Sequence, residues 1–137
     1  DVSTLGFENV EMETLLAAPE NSSVTRYETN GAEETLPLYN YDKLTIKDKY
    51  TFFLGGNIPR AVVDTGTENA PSLLILRDSY ADSLVPFLTD AFSEIHLIDL
   101  RYYTGSVKEY IADNAIDRVL LLYSIDNFCS DSSFRIF

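Results

Sequence analysis

Three apolar stretches of the sequence end in polar residues of types that can carry chemistry. In chain order these residues are Asp78 and Ser79, then Asp99 and Arg101, then Ser124 and Asn127. A serine at the point where a strand gives way to a helix is suited to attack an acyl carbon, because the backbone N–H groups that follow it can stabilise an oxyanion. Ser79 is therefore the candidate nucleophile, and Asp78, Arg101 and Asn127 are candidate groups for the substrate or the oxyanion.

A structural interpretation of the same residues stands beside the catalytic one. Ser79 could cap a helix and Asp78 could simply end a strand, while Asp99 pairs with Arg101, since caps and salt bridges are common. The catalytic interpretation also lacks a base. His96 is the single histidine and falls in the middle of an apolar stretch. This position points it away from the strand ends and predicts a packing or edge residue.

A third interpretation assigns the carboxylates to a magnesium ion, as in receiver and phosphatase folds. The residues concerned are Asp64, Asp78, Asp99 and Asp126. No lysine suited to a phosphate follows a strand, however, and the single cysteine belongs to no CxxC or His/Cys cluster. We expect no metal and no cofactor.

Composition limits the partners. The chain has 137 residues and a formal net charge of −12, so it can build one ordinary domain and would repel a polyanion over most of its surface. Nucleic acid is therefore excluded as an expected partner. No stretch approaches the roughly 18 apolar residues of a membrane span.

The N-terminal third carries most of the acid excess and short extended segments. Residues 24–29 and 35–39 flank Asn30-Gly31, a pair that favours a tight turn, so a hairpin is predicted, with Pro37 on an edge strand. We interpret residues 1–45 as an acidic, β-rich arm. The arm would either cover a missing part of the domain or pair with a second copy of the chain in a homo-oligomer.

Residues 46–137 show the pattern of an α/β domain. Continuous apolar runs at residues 60–64, 72–76, 94–99 and 118–123 predict buried strands. Helices are predicted from Asp42 to Phe53, around residues 84–91, and from Val107 to Ile111. Strand and helix alternate over the last three strands, which predicts right-handed crossovers and a parallel sheet.

Aromatic residues are numerous, with nine tyrosines and eight phenylalanines. Tyr39, Tyr41, Tyr102 and Tyr103 could line a carbohydrate groove, because aromatic faces stack on sugar rings and their hydroxyls form hydrogen bonds. Packing in the core and at the sheet edge is the alternative.

Four segments together resemble the C-terminal half of the bacterial DHHW protein family. They are Tyr50-Thr51-Phe52-Phe53-Leu54-Gly55-Gly56-Asn57, Leu74-Ile75-Leu76-Arg77-Asp78-Ser79-Tyr80-Ala81, Val85-Pro86-Phe87-Leu88 and Ile98-Asp99-Leu100-Arg101-Tyr102-Tyr103. The resemblance runs from about residue 38 to residue 131. That family is similar to SGNH-type hydrolases and to alginate O-acetyltransferase relatives, so the resemblance implies a three-layer, flavodoxin-like parallel sheet and a Ser-His-Asp triad.

On this resemblance Ser79 takes the nucleophile position, and Arg101 and Asn127 lie where relatives place substrate or oxyanion groups. The family's Asp-His-His-Trp motif precedes the serine strand, and this sequence has no tryptophan and no second histidine. Ile58 replaces the family's histidine after Gly55-Gly56-Asn57, and Asp82 replaces an asparagine. The chain is therefore expected to be a truncated or degenerate SGNH-like domain.

The resemblance also implies a function and a location. In complete form the protein would be an ester hydrolase or O-acyl transferase with a serine nucleophile, acting on a polysaccharide or another acyl ester of the cell envelope, outside the cytoplasm. The alternative is a non-catalytic α/β module that binds glycan or protein, and the chain by itself would be inactive.

Overall fold

The computed structural model describes residues 21–130 as a mixed α/β fold built on one six-stranded sheet. The strands are β1 (Ser23–Tyr27), β2 (Glu33–Pro37), β3 (Arg60–Asp64), β4 (Leu73–Arg77), β5 (Glu94–Ile98) and β6 (Arg118–Leu122). The α-helices are α1 (Val107–Asp113) and α2 (Ile125–Ser130). Short 3₁₀ turns occupy Tyr41–Thr45, Lys49–Phe52, Ser79–Ala81 and Val85–Leu88.

The strand order is β2-β1-β3-β5-β4-β6. β4 pairs in parallel with β5 and with β6, as the alternation of strands and helices predicts. The expectation of a wholly parallel sheet is wrong, because β3 runs antiparallel to both β1 and β5. An apolar run reports burial and carries no information on strand direction, which is why the sequence pattern did not reveal this reversal.

The predicted hairpin is present as β1 and β2, which pair antiparallel. Gly31 adopts φ +83° in the turn, and its neighbour Ala32 donates its N–H to the Asn30 side chain at 2.9 Å. β2 with Pro37 forms one edge of the sheet, and β1 pairs with β3, so the hairpin belongs to the common sheet. Residues 1–20 and their acidic side chains lie outside the described residues, and a role of this arm in oligomers stays a prediction.

Two predicted helices are replaced by 3₁₀ turns. The segment from Asp42 to Phe53 forms two separate turns, in which Thr45 and Thr51 donate their hydroxyls to the backbone carbonyls of Asp42 and Asp48. Such local bonds compete with an α-helix. The segment around residues 84–91 contains only Val85–Leu88, and the Thr89 hydroxyl that follows it donates to the Pro86 carbonyl at 2.8 Å, a local bond of the same kind.

The third predicted helix is confirmed as α1, which begins after Ser106. The Ser106 hydroxyl accepts the Glu109 N–H at 3.2 Å, as an N-cap residue does. Val107 and Tyr110 of this helix pack on Leu74 and Leu76 of β4. α1 therefore covers one face of the parallel half of the sheet.

On the opposite face of β4, Leu73 and Ile75 belong to a larger apolar cluster, so β4 is buried along its whole length. β6 was also predicted to be buried, and this is wrong for the described residues. Val119 and Leu121 are 51% and 47% exposed, because β6 is the last strand of the sheet and pairs only with β4. None of the helices within residues 21–130 is long and apolar enough to cross a membrane.

Candidate functional site

The polar residues that follow the parallel strands lie together at the edge of the sheet formed by the carboxyl ends of these strands. This edge runs across the strands and is distinct from an edge strand such as β2. β1, β5, β4 and β6 all point toward this edge, because β1 and β5 are each antiparallel to β3 and β5, β4 and β6 are mutually parallel. Loops that leave the carboxyl ends of parallel strands converge at such an edge. The ends of β4, β5 and β6 accordingly supply Ser79, Arg101 and Asn127 to the same side of the molecule.

Ser79 is the first residue of the 3₁₀ turn that follows β4, and its side chain is half-buried. It lines an open cavity of about 380 Å³ together with Tyr50, Tyr80 and Ser83. The Tyr50 hydroxyl donates to the Ser79 carbonyl at 2.8 Å and accepts the Ser83 N–H at 3.2 Å. The segment from residue 49 to 52 thereby holds the serine turn in place and leaves the serine facing a concave surface.

Asp78 connects the end of β4 to the end of β6. Its Oδ2 accepts the N–H and the hydroxyl of Ser124 at 2.9 and 2.8 Å, and the Asn127 amide at 2.7 Å. Its Oδ1 accepts the Tyr80 N–H at 3.0 Å. This backbone N–H is therefore already bound and does not serve an oxyanion, contrary to the expectation from the sequence. Burial alone would raise the pKa of Asp78, but the bonds from Asn127 and Ser124 outweigh it and hold the pKa below its usual value.

We expect Asp78→Ala to lower the free energy of unfolding by about 2–3 kcal/mol, because the donors of Ser124, Asn127 and Tyr80 lose a buried, charged acceptor. Urea unfolding at neutral pH measures the change. Asp90→Ala is the matched control, since Asp90 is exposed, and it should stay within about 0.5 kcal/mol of the unsubstituted protein. Equal stability of the two variants would contradict the structural role of Asp78.

A buried ion pair lies directly beneath the serine turn. Arg77 Nη1 is 3.0 Å from Asp82 Oδ1, and the two side chains are 0% and 1% exposed. Within residues 21–130 neither the guanidinium nor the carboxylate has a well-aligned hydrogen bond. Burial raises the pKa of Asp82 to about 7; Arg77 opposes the shift, and the nearby carboxylates of Asp99 and Asp78 add to it.

In the sequence, Asp82 stands out only as a departure from the family pattern, and Arg77 appears only as part of a family segment. The Asp82 N–H donates to the Ser79 carbonyl at 3.2 Å, so the pair is joined to the serine turn. The one available signal was an arginine at the end of an otherwise apolar strand that is covered on both faces.

Arg101 and Asp99 form the pair that the structural interpretation anticipated. Arg101 donates through Nε and Nη2 to the two carboxylate oxygens of Asp99, at 2.9 and 2.7 Å, and Asp99 is fully buried. This bidentate bond raises the pKa of Arg101. Asp99 thus fixes the guanidinium at the sheet edge, and the guanidinium retains N–H groups that the carboxylate does not use.

His96 lies inside the fold, as its position in the sequence predicts. Its Nδ1 is 2.8 Å from the Tyr110 hydroxyl and its Nε2 is 3.1 Å from Glu94 Oε2. Burial lowers the pKa of His96, although Glu94 partly opposes the shift. His96 is therefore a packing residue with both ring nitrogens engaged, and within residues 21–130 no other histidine is present to activate Ser79.

The four aspartates of the magnesium interpretation are divided between the two edges of the sheet. Asp64 ends β3, whose direction is reversed, and it pairs in register with Glu94 at the start of β5. It therefore lies at the edge opposite Asp78 and Asp99. In the described part of the chain, no group of three or more histidine, cysteine, aspartate or glutamate side chains is arranged to hold a metal ion.

The four tyrosines proposed for a carbohydrate groove lie in two different parts of the structure. Tyr39 stacks on Phe52 with ring centroids 5.1 Å apart, and Tyr41 meets the same ring edge-on at 5.3 Å, so these two pack among aromatic side chains. Tyr102 and Tyr103 instead line a cavity beside the end of β5.

Comparison with known proteins gives structural relatives only. No family model matches the chain, and no curated protein matches it. The structure resembles PatB1 of Bacillus cereus, solved with a sulfonyl adduct, with a TM-score of 0.69 and 29% identity over 83% of this chain. It also resembles a DHHW family protein from Eubacterium siraeum, with a TM-score of 0.67 and 26% identity over 84% of this chain. This chain spans 40% and 39% of the length of those two proteins. The second of these matches supports the link to the DHHW family.

Proposed function

We propose that the complete protein is a serine-dependent ester hydrolase or O-acyl transferase with a three-layer, SGNH-like fold, to which this chain contributes the half that carries the nucleophile. The observation that carries the proposal is the position of Ser79, half-buried in a cavity at the carboxyl end of a central parallel strand. The likeness to PatB1 supports it, because a sulfonyl adduct is what a sulfonylating reagent leaves on an activated nucleophile.

The proposed reaction begins with attack of the Ser79 hydroxyl oxygen on the acyl carbon of an ester. A base takes the proton of Ser79, the C–O bond to the sugar oxygen breaks, the same proton passes from the base to that oxygen, and the acyl group remains on Ser79. Water then releases a carboxylic acid, or a second hydroxyl accepts the acyl group. Arg101 and Asn127 contribute N–H groups to the oxyanion or the substrate, because each retains donors beyond those bound by Asp99 and Asp78.

The base in this proposal comes from outside residues 21–130. His96 is buried against Tyr110 and Glu94, so it cannot take the proton of Ser79 without leaving its own partners. We propose that the Asp and His of a DHHW-type motif supply the base. The substrate would be an acylated polysaccharide of the bacterial cell envelope, and the location would be extracytoplasmic.

Covalent labelling tests the nucleophile directly. The complete protein is treated with methanesulfonyl fluoride and digested, and the labelled peptide is identified by mass spectrometry. We expect one modification per chain, on the peptide that contains Ser79, and none in Ser79→Ala. Labelling at another residue, or an unchanged extent of labelling in Ser79→Ala, would reject Ser79 as the nucleophile.

The second candidate is a non-catalytic α/β module that binds glycan or protein. The observation in its favour is that, in the part of the chain that the structure describes, no side chain forms a hydrogen bond with the Ser79 hydroxyl. Asp78, the adjacent carboxylate, is fully engaged by Ser124, Asn127 and Tyr80. A complete protein that resists sulfonylation and binds a polysaccharide would favour this candidate.

A further inference from the structure

A second concave surface lies on the same edge of the sheet as Ser79, and the proposed reaction does not use it. This aromatic cavity has a volume of about 400 Å³ and is formed mainly by Tyr27, Glu28, Thr29, Arg60, Tyr102 and Tyr103. A neighbouring depression of about 290 Å³ shares Glu28, Thr29 and Tyr102 with it and extends it toward Asn57. Cavities of a few hundred Å³ are of the size that holds a small ligand or one unit of a polymer.

The strand order fixes the position of the aromatic cavity relative to Ser79. Tyr27 ends β1, Arg60 begins β3, and Tyr102 follows β5, whereas Ser79 follows β4. β3 and β1 lie two and three strands away from β4. At about 4.8 Å per strand, the cavity is roughly 10–14 Å from the serine turn along one edge. A chain of a few sugar units laid along that edge reaches both places.

The side chains of the cavity provide a flat surface and hydrogen-bonding groups of both kinds. The Arg60 guanidinium lies over the Tyr27 ring, 3.8 Å from its centroid, which holds its planar donor group in a fixed orientation. Tyr102 is 45% exposed, so part of its surface is open to a ligand, while the Arg101 guanidinium lies 5.4 Å from the centroid of its ring. Glu28 and Thr29 are exposed and add acceptors.

These features match a neutral sugar ring better than a charged one. A sugar ring has an apolar face for the tyrosine and many hydroxyls for the arginine and the glutamate. Arg60 and Glu28 carry charges of opposite sign, so the cavity has little net charge of its own. The net charge of −12 on the whole chain repels a polyanionic glycan.

We propose that the aromatic cavity is a subsite for a neutral sugar unit of a glycan chain, with Tyr102 as the stacking residue and Arg60 as the donor. The inference rests on the proposed function in one respect, namely that the same glycan carries its acyl group to Ser79. Binding in the cavity does not require the serine chemistry, so the two proposals can be tested separately.

The complete protein is titrated with chitotetraose and, separately, with cellotetraose, and isothermal titration calorimetry measures the affinity for each. We expect the unsubstituted protein to bind at least one of these neutral tetrasaccharides, and Tyr102→Ala to weaken that binding about tenfold or more through loss of stacking. Tyr102→Phe keeps the ring and should stay within about threefold. Tyr41→Ala, which removes a 58% exposed tyrosine outside the cavity, is the matched control and should bind as the unsubstituted protein does.

Absence of binding to both tetrasaccharides would overturn the proposal, and so would equal affinities of Tyr102→Ala and Tyr41→Ala. Tighter binding of tetragalacturonate, an anionic chain of the same length, would overturn the preference for a neutral sugar. Ser79→Ala should bind the tetrasaccharides with unchanged affinity. If Ser79 proves not to be a nucleophile while Tyr102→Ala still loses binding, the proposed reaction fails and the sugar subsite stands.

Discussion

Replacement of Ser79 by alanine in the complete protein is expected to lower kcat for hydrolysis of an acetyl ester by at least about 10³-fold, with little change in KM. The reason is that Ser79 faces an open cavity and forms the covalent bond of the proposed reaction, whereas ester binding depends on the other lining residues. Steady-state kinetics with p-nitrophenyl acetate and with an acetylated oligosaccharide measure both constants.

Ser83→Ala is the matched comparison for this variant, because Ser83 lines the same cavity and its hydroxyl lies 3.2 Å from that of Tyr50. It removes a hydroxyl without removing the nucleophile, and we expect less than about a tenfold change in kcat. Thermal unfolding of both variants establishes that they are folded. Equal kcat values for Ser79→Ala and the unsubstituted protein would reject the serine mechanism.

Asp82 should make the stability of the fold depend on pH. Its pKa is about 7 in the folded chain against an ordinary value of 3.8, so between these values the folded state holds a proton that the unfolded state has released. The contribution of Asp82 to the free energy of unfolding is therefore greatest below about pH 4 and is lost as pH rises toward 7. The free-energy difference between the unsubstituted protein and Asp82→Asn should fall by about 4 kcal/mol across this window.

Urea unfolding at pH 4, 5.5, 7 and 8 measures this difference, and the titration of other groups cancels because both proteins carry them. Asp90→Asn is the control, since Asp90 is exposed and the substitution should change the free energy of unfolding by no more than about 0.5 kcal/mol. Two parallel stability curves for the unsubstituted protein and Asp82→Asn would show that Asp82 remains ionised in the fold. The Arg77 contact at 3.0 Å would then dominate over burial.

The sequence was sufficient for features that depend on neighbouring residues. Asn30-Gly31 predicts the turn between β1 and β2, the apolar spacing of residues 107–111 predicts α1, and the apolar runs predict β4 and β5. The position of Ser79 after β4 follows from the same local pattern. Each of these depends on backbone geometry or burial over a few residues, and those are properties that a short sequence encodes.

Whether a segment forms an α-helix or a 3₁₀ turn depends on local hydrogen bonds that compete with those of the α-helix, and the spacing of apolar residues does not reveal them. The spacing of Leu84, Phe87 and Leu88 fits an α-helix, yet the segment forms only a 3₁₀ turn, after which the Thr89 hydroxyl donates to the Pro86 carbonyl. In the same way, apolar residues in β6 predicted burial on both faces, but Val119 and Leu121 are exposed because β6 ends the sheet in the described residues.

Tertiary structure alone decided which side chains meet. The reversal of β3 moves Asp64 to the far edge, and it brings Arg60 beside Tyr27 and Tyr102, residues that are distant in sequence. The contact between Arg77 and Asp82, and the bonds from Asp78 to Ser124 and Asn127, likewise arise from packing. Residue types and local patterns therefore identified Ser79, whereas strand direction and burial, which depend on contacts between distant segments, determined the surroundings of Ser79.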